Sequence, residues 1–154
     1  MKISNGPRGS LIVDDARIIF RNFAGAQTQF NRAGDRNFAL VIDNVDDATK
    51  LKDAGWNIKI KPPRDEDDTP LMFLPVKVKF NDRGPNVYLK SGDNFRELSE
   101  ETVDTLDNIE IISCDMDIRA FDWTMPSGMT GRTAYLDAIT VHQQIDRFKA
   151  RYLD

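Results

Sequence analysis

Three stretches of this chain place an apolar residue at every second position. In residues 56–61, Trp56, Ile58 and Ile60 alternate with Asn57, Lys59 and Lys61. In residues 71–80, Met72, Leu74, Val76, Val78 and Phe80 alternate with Phe73, Pro75, Lys77 and Lys79. In residues 86–90, Val87 and Leu89 alternate with Tyr88 and Lys90. A period of two sends successive side chains to opposite faces, so each stretch predicts a strand with one face in a core. Apolar, β-branched and aromatic runs predict further strands at 17–24, 37–43, 109–123 and 132–143, the last two joined by a Pro- and Gly-containing hairpin loop.

Helical signals are few. Asp46 and Asp47 suit a helix N-terminus, Ala48 and Leu51 give an apolar face, and Gly55 suits the left-handed residue past the end, so 46–54 is a short helix. Ser99 as N-cap, Glu100 and Glu101 in the first turn, and Val103 with Leu106 toward the core predict a second at 99–106. Ile145, Phe148 and Tyr152 fall on one helical stripe and predict a C-terminal helix. Residues 1–10, polar and Gly-containing, read as a loose arm. Short strands with two inserted helices do not suit a parallel α/β sheet. They predict one mostly-β (α+β) domain over residues 1–154: an oligonucleotide/oligosaccharide-binding (OB) type antiparallel β-barrel with inserted short helices and a C-terminal helix.

The chain's 154 residues suit one domain. It has no apolar run near the roughly 20 residues a spanning helix needs, and nothing resembling a signal peptide. Cys114 is alone, so no internal disulfide forms, and a cytoplasmic protein is expected, in the host cytoplasm if phage-encoded. Cys114 sits between Ile112 and Met116 as a structural thiol, and His142 has no acid or Cys near it in sequence. The acidic run 65–68 lacks the Gly and spacing of a calcium loop. No phosphate-cradling Gly-rich motif, Ser-His-Asp set or zinc spacing is present. The expectation is a protein that is not an enzyme and uses no cofactor or metal.

Net charge is −4, but the charge is segregated. Residues 97–118 hold eight acids and no Lys or Arg. The outward positions of the three alternating strands hold Lys59, Lys61, Phe73, Lys77, Lys79, Tyr88 and Lys90, with no acid among them. Lysines that track phosphates beside rings that stack on bases are the chemistry of sequence-tolerant single-strand binding. Lysines on an exposed strand are equally a guard against edge-to-edge aggregation, and the rings could simply pack. A second basic-aromatic cluster is expected from Arg119, Phe121, Trp123 and Arg132, although cross-strand packing accounts for it as well. Arg32 and Arg36, flanking an exposed loop with Phe30, either close over a nucleic-acid strand or are loop charges.

Several segments also resemble a known family: Arg21–Gly25, Asn31–Phe38, Asp53–Lys59, Val87–Gly92, Asp117–Trp123 and Gly131–Leu136. Together they are similar to small proteins of phages and prophages of Gram-positive hosts, described as uncharacterised or as single-stranded DNA-binding. The resemblance runs from about Arg17 to Tyr152. It implies an OB-like fold and a role in phage DNA replication or recombination, with single-stranded DNA as partner and phage replication or recombination proteins as further partners. Self-association is compatible with it. It carries over no catalytic residue. Many such binders end in an acidic recruiting tail, whereas this sequence ends in mixed charge, which puts tail-mediated recruitment in doubt. The rival reading is a phage protein-interaction module, or an inhibitor of a host factor, acting through the acidic surface.

Overall fold

The computed structural model describes residues 1–66 and 68–144. The chain is mostly β. In order come β1 (Lys2–Asn5), β2 (Leu11–Ala16), β3 (Ile18–Asn22), β4 (Arg36–Val41), helix α1 (Val45–Asp53), β5 (Lys59–Lys61), β6 (Leu71–Val78), β7 (Asn86–Ser91), β8 (Asn94–Leu98), β9 (Ile111–Thr124) and β10 (Thr130–Gln143). Single 3₁₀ turns lie at Pro7–Gly9 and Val103–Asp107.

The strands form one sheet in the order β1-β2-β9-β10-β6-β4-β3. It is mixed rather than antiparallel. The same edge of β10 is lined in parallel by β6 (Tyr135 opposite Lys77) and then by β7 (Thr140 opposite Tyr88). β5 flanks the start of β6, and β8 pairs with β7. Among the described residues no ladder joins β1 to β3, so the sheet is open and the expected closed barrel is not formed. It is nevertheless curled: Leu11 and Val13 from one end and Ile18 from the other share a core with Leu74, Val76, Ile118 and Ile139.

The alternating stretches bury what the periodicity predicts. Met72, Leu74, Val76, Val78, Val87 and Leu89 are core residues. Trp56 and Ile58 are buried too, but only Lys59–Lys61 is strand, and Ile60 is 55% exposed because this short strand runs off the core at the rim of β6. The predicted first helix is α1. Asn44 caps it by accepting the Asp47 N–H at 2.8 Å, and Gly55 takes the left-handed position after it at φ +103°.

Two further expectations are corrected. The loose arm is instead a paired strand: β1 lies antiparallel on β2, turning through Pro7–Gly9. The helix at 99–106 is a turn followed by a 3₁₀ segment, Val103–Asp107. Its two apolar anchors, Val103 and Leu106, are three residues apart, which a three-residue turn superimposes on one side; both are fully buried. β8 was not foreseen, since four of its five residues are exposed and it shows no alternation. The predicted C-terminal helix lies outside the described residues. Among those described, no helix is long and apolar enough to cross a membrane.

Candidate nucleic-acid interface

The outer face of the central strands carries the candidate site. Pairing aligns Asn37 (β4), Lys77 (β6), Tyr135 (β10) and Arg119 (β9) in one row across the sheet. Beside it, Ala39 opposite Pro75 leaves a low floor. Beyond that, Phe73 lies between Val41 and Lys59, with Lys61 two residues further along β5. Phe20 packs edge-on against Phe73 with centroids 5.5 Å apart. It reaches there from an irregularity in β3, at φ +52°, a backbone conformation that costs an aromatic residue strain.

One edge of this floor is overhung by the loop between β3 and β4. The Asn31 amide donates to the carbonyls of Ala26, Arg32 and Asp35, at 3.0, 3.0 and 2.9 Å. Asn37 donates in turn to the Asn31 side chain at 2.9 Å. A tight Thr28–Asn31 turn thereby holds Phe30 out, 89% exposed. Loop and strands enclose an open groove of about 490 Å³, lined among others by Phe30, Arg32, Lys77, Lys79 and Tyr135.

The lysine charge on this face is available. Lys59, Lys61, Lys77 and Lys79 take part in none of the ion pairs among the described residues. Arg32 pairs with Asp35 at 3.3 Å, but both are so exposed that the pair holds it weakly. Arg119 lies over the Tyr135 ring, 4.7 Å from its centroid, and pairs with Asp137 at 3.1 Å. Phe121 meets Tyr135 edge-on at 6.2 Å.

A family model described as "Putative phage ssDNA-binding domain" matches residues 3–154. The chain belongs to this family. Among solved structures it is similar to the single-stranded DNA-binding protein from bacteriophage Enc34, at 11% identity and a TM-score of 0.54 over 100% of both chains. It is similar also to the C-terminal truncation of that protein, at 13% identity and a TM-score of 0.53 over 94% of this chain and 97% of the other. At these identities the likeness is one of fold. No curated protein matches the chain.

On this family's sheet, the residues singled out from the sequence separate into groups. Lys77, Lys79, Arg32 and Arg36 line the groove, with Arg119 and Phe121 on its β9 side. Phe73, Lys59 and Lys61 share the outer face but stand toward the other end of β6, Lys59 opposite Phe73 and Lys61 opposite Leu71, four and six residues from Lys77. Tyr88 and Lys90 share the outer face but stand further along β10. Tyr88 is opposite Thr140, five residues past Tyr135, or roughly 17 Å at the rise of a strand. Tyr88 stacks there on Phe95 at 5.2 Å. Trp123 lies across from Gly131, where any side chain would strike its ring.

Two arginines are otherwise engaged. Arg132 is opposite Asp122, on the other face from Trp123; it donates to Asp122 at 2.6 and 3.3 Å and to the Ala54 carbonyl at 2.9 Å. Its guanidinium also covers Trp56, 5.0 Å from the centroid, so it ties the end of α1 to the β9–β10 hairpin. Arg36 donates to the Phe23 carbonyl at 2.6 Å, lies over Phe80 and approaches Glu100 at 3.8 Å.

The acidic stretch is partly structural. Asp107 accepts the Phe23 and Ala24 N–H groups at 2.8 and 2.9 Å. Burial pushes the Asp115 carboxyl up, but the Asp15 N–H and His142 outweigh it and the net shift is downward. His142 Nε2 is 3.0 Å from Asp115. The Cys114 thiol is pushed up to about 12, chiefly by burial and further by Asp115, while Arg21 opposes the shift. Among the described residues no three His, Cys, Asp or Glu gather as a metal site would require.

Sequence reasoning missed Tyr135, Phe20 and Phe30's position at the groove lip. Tyr135 was readable: pairing Thr124 with Thr130 across the hairpin places Tyr135 opposite Arg119 by counting alone. Phe20 had no such signal, because its ring reaches Phe73 only through the β3 irregularity.

Proposed function

We propose that this chain holds single-stranded DNA, without sequence specificity, in the groove between the β3–β4 loop and the outer face of β4, β6 and β10. The observation that carries the reading is the Asn37-Lys77-Tyr135-Arg119 row, roofed by a tethered loop that shows Phe30 to solvent. Unpaired lysines beside exposed rings offer phosphate neutralisation and base stacking together. The rings favour a single strand, because duplex bases are already stacked on one another. The curled sheet is read as an opened OB-type barrel, its core fed from both ends. The setting is phage DNA replication or recombination in the host cytoplasm, beside other phage proteins and with self-association allowed. The protein-interaction reading is weaker, since Asp107 and Asp115 are occupied within the fold.

Titrating a labelled oligothymidylate at several salt concentrations tests this. If about four cations neutralise phosphates, log affinity falls with log salt at a slope near −3, at ~0.7 per phosphate for single strands. A duplex of equal length binds more weakly. Lys77→Glu with Lys79→Glu abolishes binding while the melting temperature holds; full affinity in that folded variant would sink the reading.

A further inference from the structure

Lys79 lines a second cavity as well as the groove. This basin, about 460 Å³, lies between the β1–β2 turn, the β6–β7 turn and the β9–β10 ladder. Its cations are Arg8, Lys79, Arg83 and Arg119. Asp137 is the acid that lines it, and Arg119 already holds that carboxylate at 3.1 Å. Asp82, beside Arg83 in the turn, is not part of the lining. Arg8, Lys79 and Arg83 take part in no ion pair among the described residues.

Both new arginines stand on closed turns. Asn81 and Gly84 exchange backbone hydrogen bonds at 2.8 and 3.2 Å, and the Asn81 side chain accepts the Arg83 N–H at 2.9 Å. Arg8 occupies the left-handed region at φ +58°, inside a turn closed by Gly6 N–H to the Ser10 carbonyl at 2.9 Å. Left-handed backbone crowds the Cβ of any residue but glycine, and the turn holds Arg8 there regardless. Guanidinium groups offer phosphate a two-pronged set of donors. The basin has no exposed ring of its own, in contrast to the groove.

From the shared Lys79, the unpaired arginines and the absence of rings in the lining, we infer that the strand in the groove continues past Lys79 into this basin. There Arg8 and Arg83 clamp its sugar-phosphate backbone without touching bases. The inference rests on the reading of the groove and adds a second, purely electrostatic subsite that lengthens the footprint. An independent anion site would present the same chemistry, and strand length separates the two.

The test compares wild type with Arg8→Gln/Arg83→Gln on strands of about 4 and about 16 nucleotides, the span of sites on small β-barrels. At 0.1 M salt, losing two phosphate contacts at ~0.7 each weakens the long strand about 25-fold and makes its salt slope shallower by about 1.4. The short strand, held by the groove, keeps its affinity. Arg83→Gln alone, which leaves the Arg8 backbone untouched, gives about 5-fold by the same arithmetic. Unchanged long-strand affinity and slope in the folded double variant overturns the inference and leaves the groove standing. Equal losses on both lengths also overturn it, since the arginines would then act on the groove itself. If wild type binds neither strand, it is the functional reading that falls.

Discussion

Phe30→Ala separates binding from folding more cleanly than any other change in the groove. The ring is 89% exposed and packs on nothing in the core, so its removal leaves stability within about 0.5 kcal/mol. Phe23 is the contrast: fully buried and stacked on Phe38 at 5.3 Å, it would cost about 3–5 kcal/mol on truncation. If Phe30 stacks on a base, deleting the ring costs roughly 1–3 kcal/mol of binding. That is about 5- to 150-fold in dissociation constant. Because the ring carries no charge, the salt slope stays where it is. The assay is fluorescence anisotropy with a labelled oligothymidylate at several salt concentrations, with thermal melts of the same samples. Wild-type affinity in the folded Phe30→Ala protein would refute the stacking role. A shallower slope would refute it differently, by showing that the loop acts through Arg32. Asn31→Ala, which frees the loop from three carbonyls, should lose affinity less, through lost pre-organisation.

Other expectations follow from the same geometry. Cys114, buried and with its thiol pushed up to about 12, resists thiol reagents in the native protein and reacts once denaturant is added; rapid native labelling would contradict this. Arg132→Ala lowers stability through its lost bonds to Ala54 and Asp122 and its lost cover over Trp56, measured by urea unfolding, and leaves the DNA salt slope unchanged. The carboxyls of Asp115, Asp122 and Glu101 are held below their ordinary values in the fold. Their stabilisation is therefore complete above the unfolded values, about 3.9 for Asp and 4.3 for Glu, and is lost as pH falls through the lower folded values. Melting temperature should drop below about pH 4, and less steeply in Asp115→Asn; a protein equally stable at neutral pH and well below pH 4 would contradict it.

What was legible in the chain is what periodicity controls. Alternation located the buried face of β6 and β7, because a one-residue slip would expose Leu74, Val76 and Leu89 together. It could not show that β6 and β7 follow one another along the same edge of β10, since parallel pairing is decided by chain crossovers far apart in sequence. That pairing is why seven outward residues that look like one face become a groove around Lys77 and a separate Tyr88–Phe95 stack. Short or edge strands such as β1 and β8 escaped notice because they bury too little to need a pattern. The arginines escaped for another reason: Arg132 and Arg36 have the composition of a DNA contact, and only the partners Asp122, Ala54 and Phe23 show where they are spent.

A protein of net charge −4 that holds a polyanion is consistent once distance is considered. Exposed charges act over a Debye length of about 8–10 Å at physiological salt, so a strand in the groove responds to local rather than total charge. Near the groove, Arg119 and Asp137 neutralise one another. At its wall Arg36 approaches Glu100; elsewhere Asp122 is matched by Arg132, and Asp107 is turned onto backbone N–H groups. The lysines of β5 and β6 have no such partners among the described residues. The excess of acids over bases therefore lies in the rest of the chain, while unmatched positive charge lies beside the rings of the outer face and in the adjoining arginine-lined basin. Charge sorted this way limits how a nucleic acid can lie. On the proposed reading it is drawn along the groove toward Lys79 and the arginine-lined basin, and drifting onto another face would cost it both the lysines and the stacking.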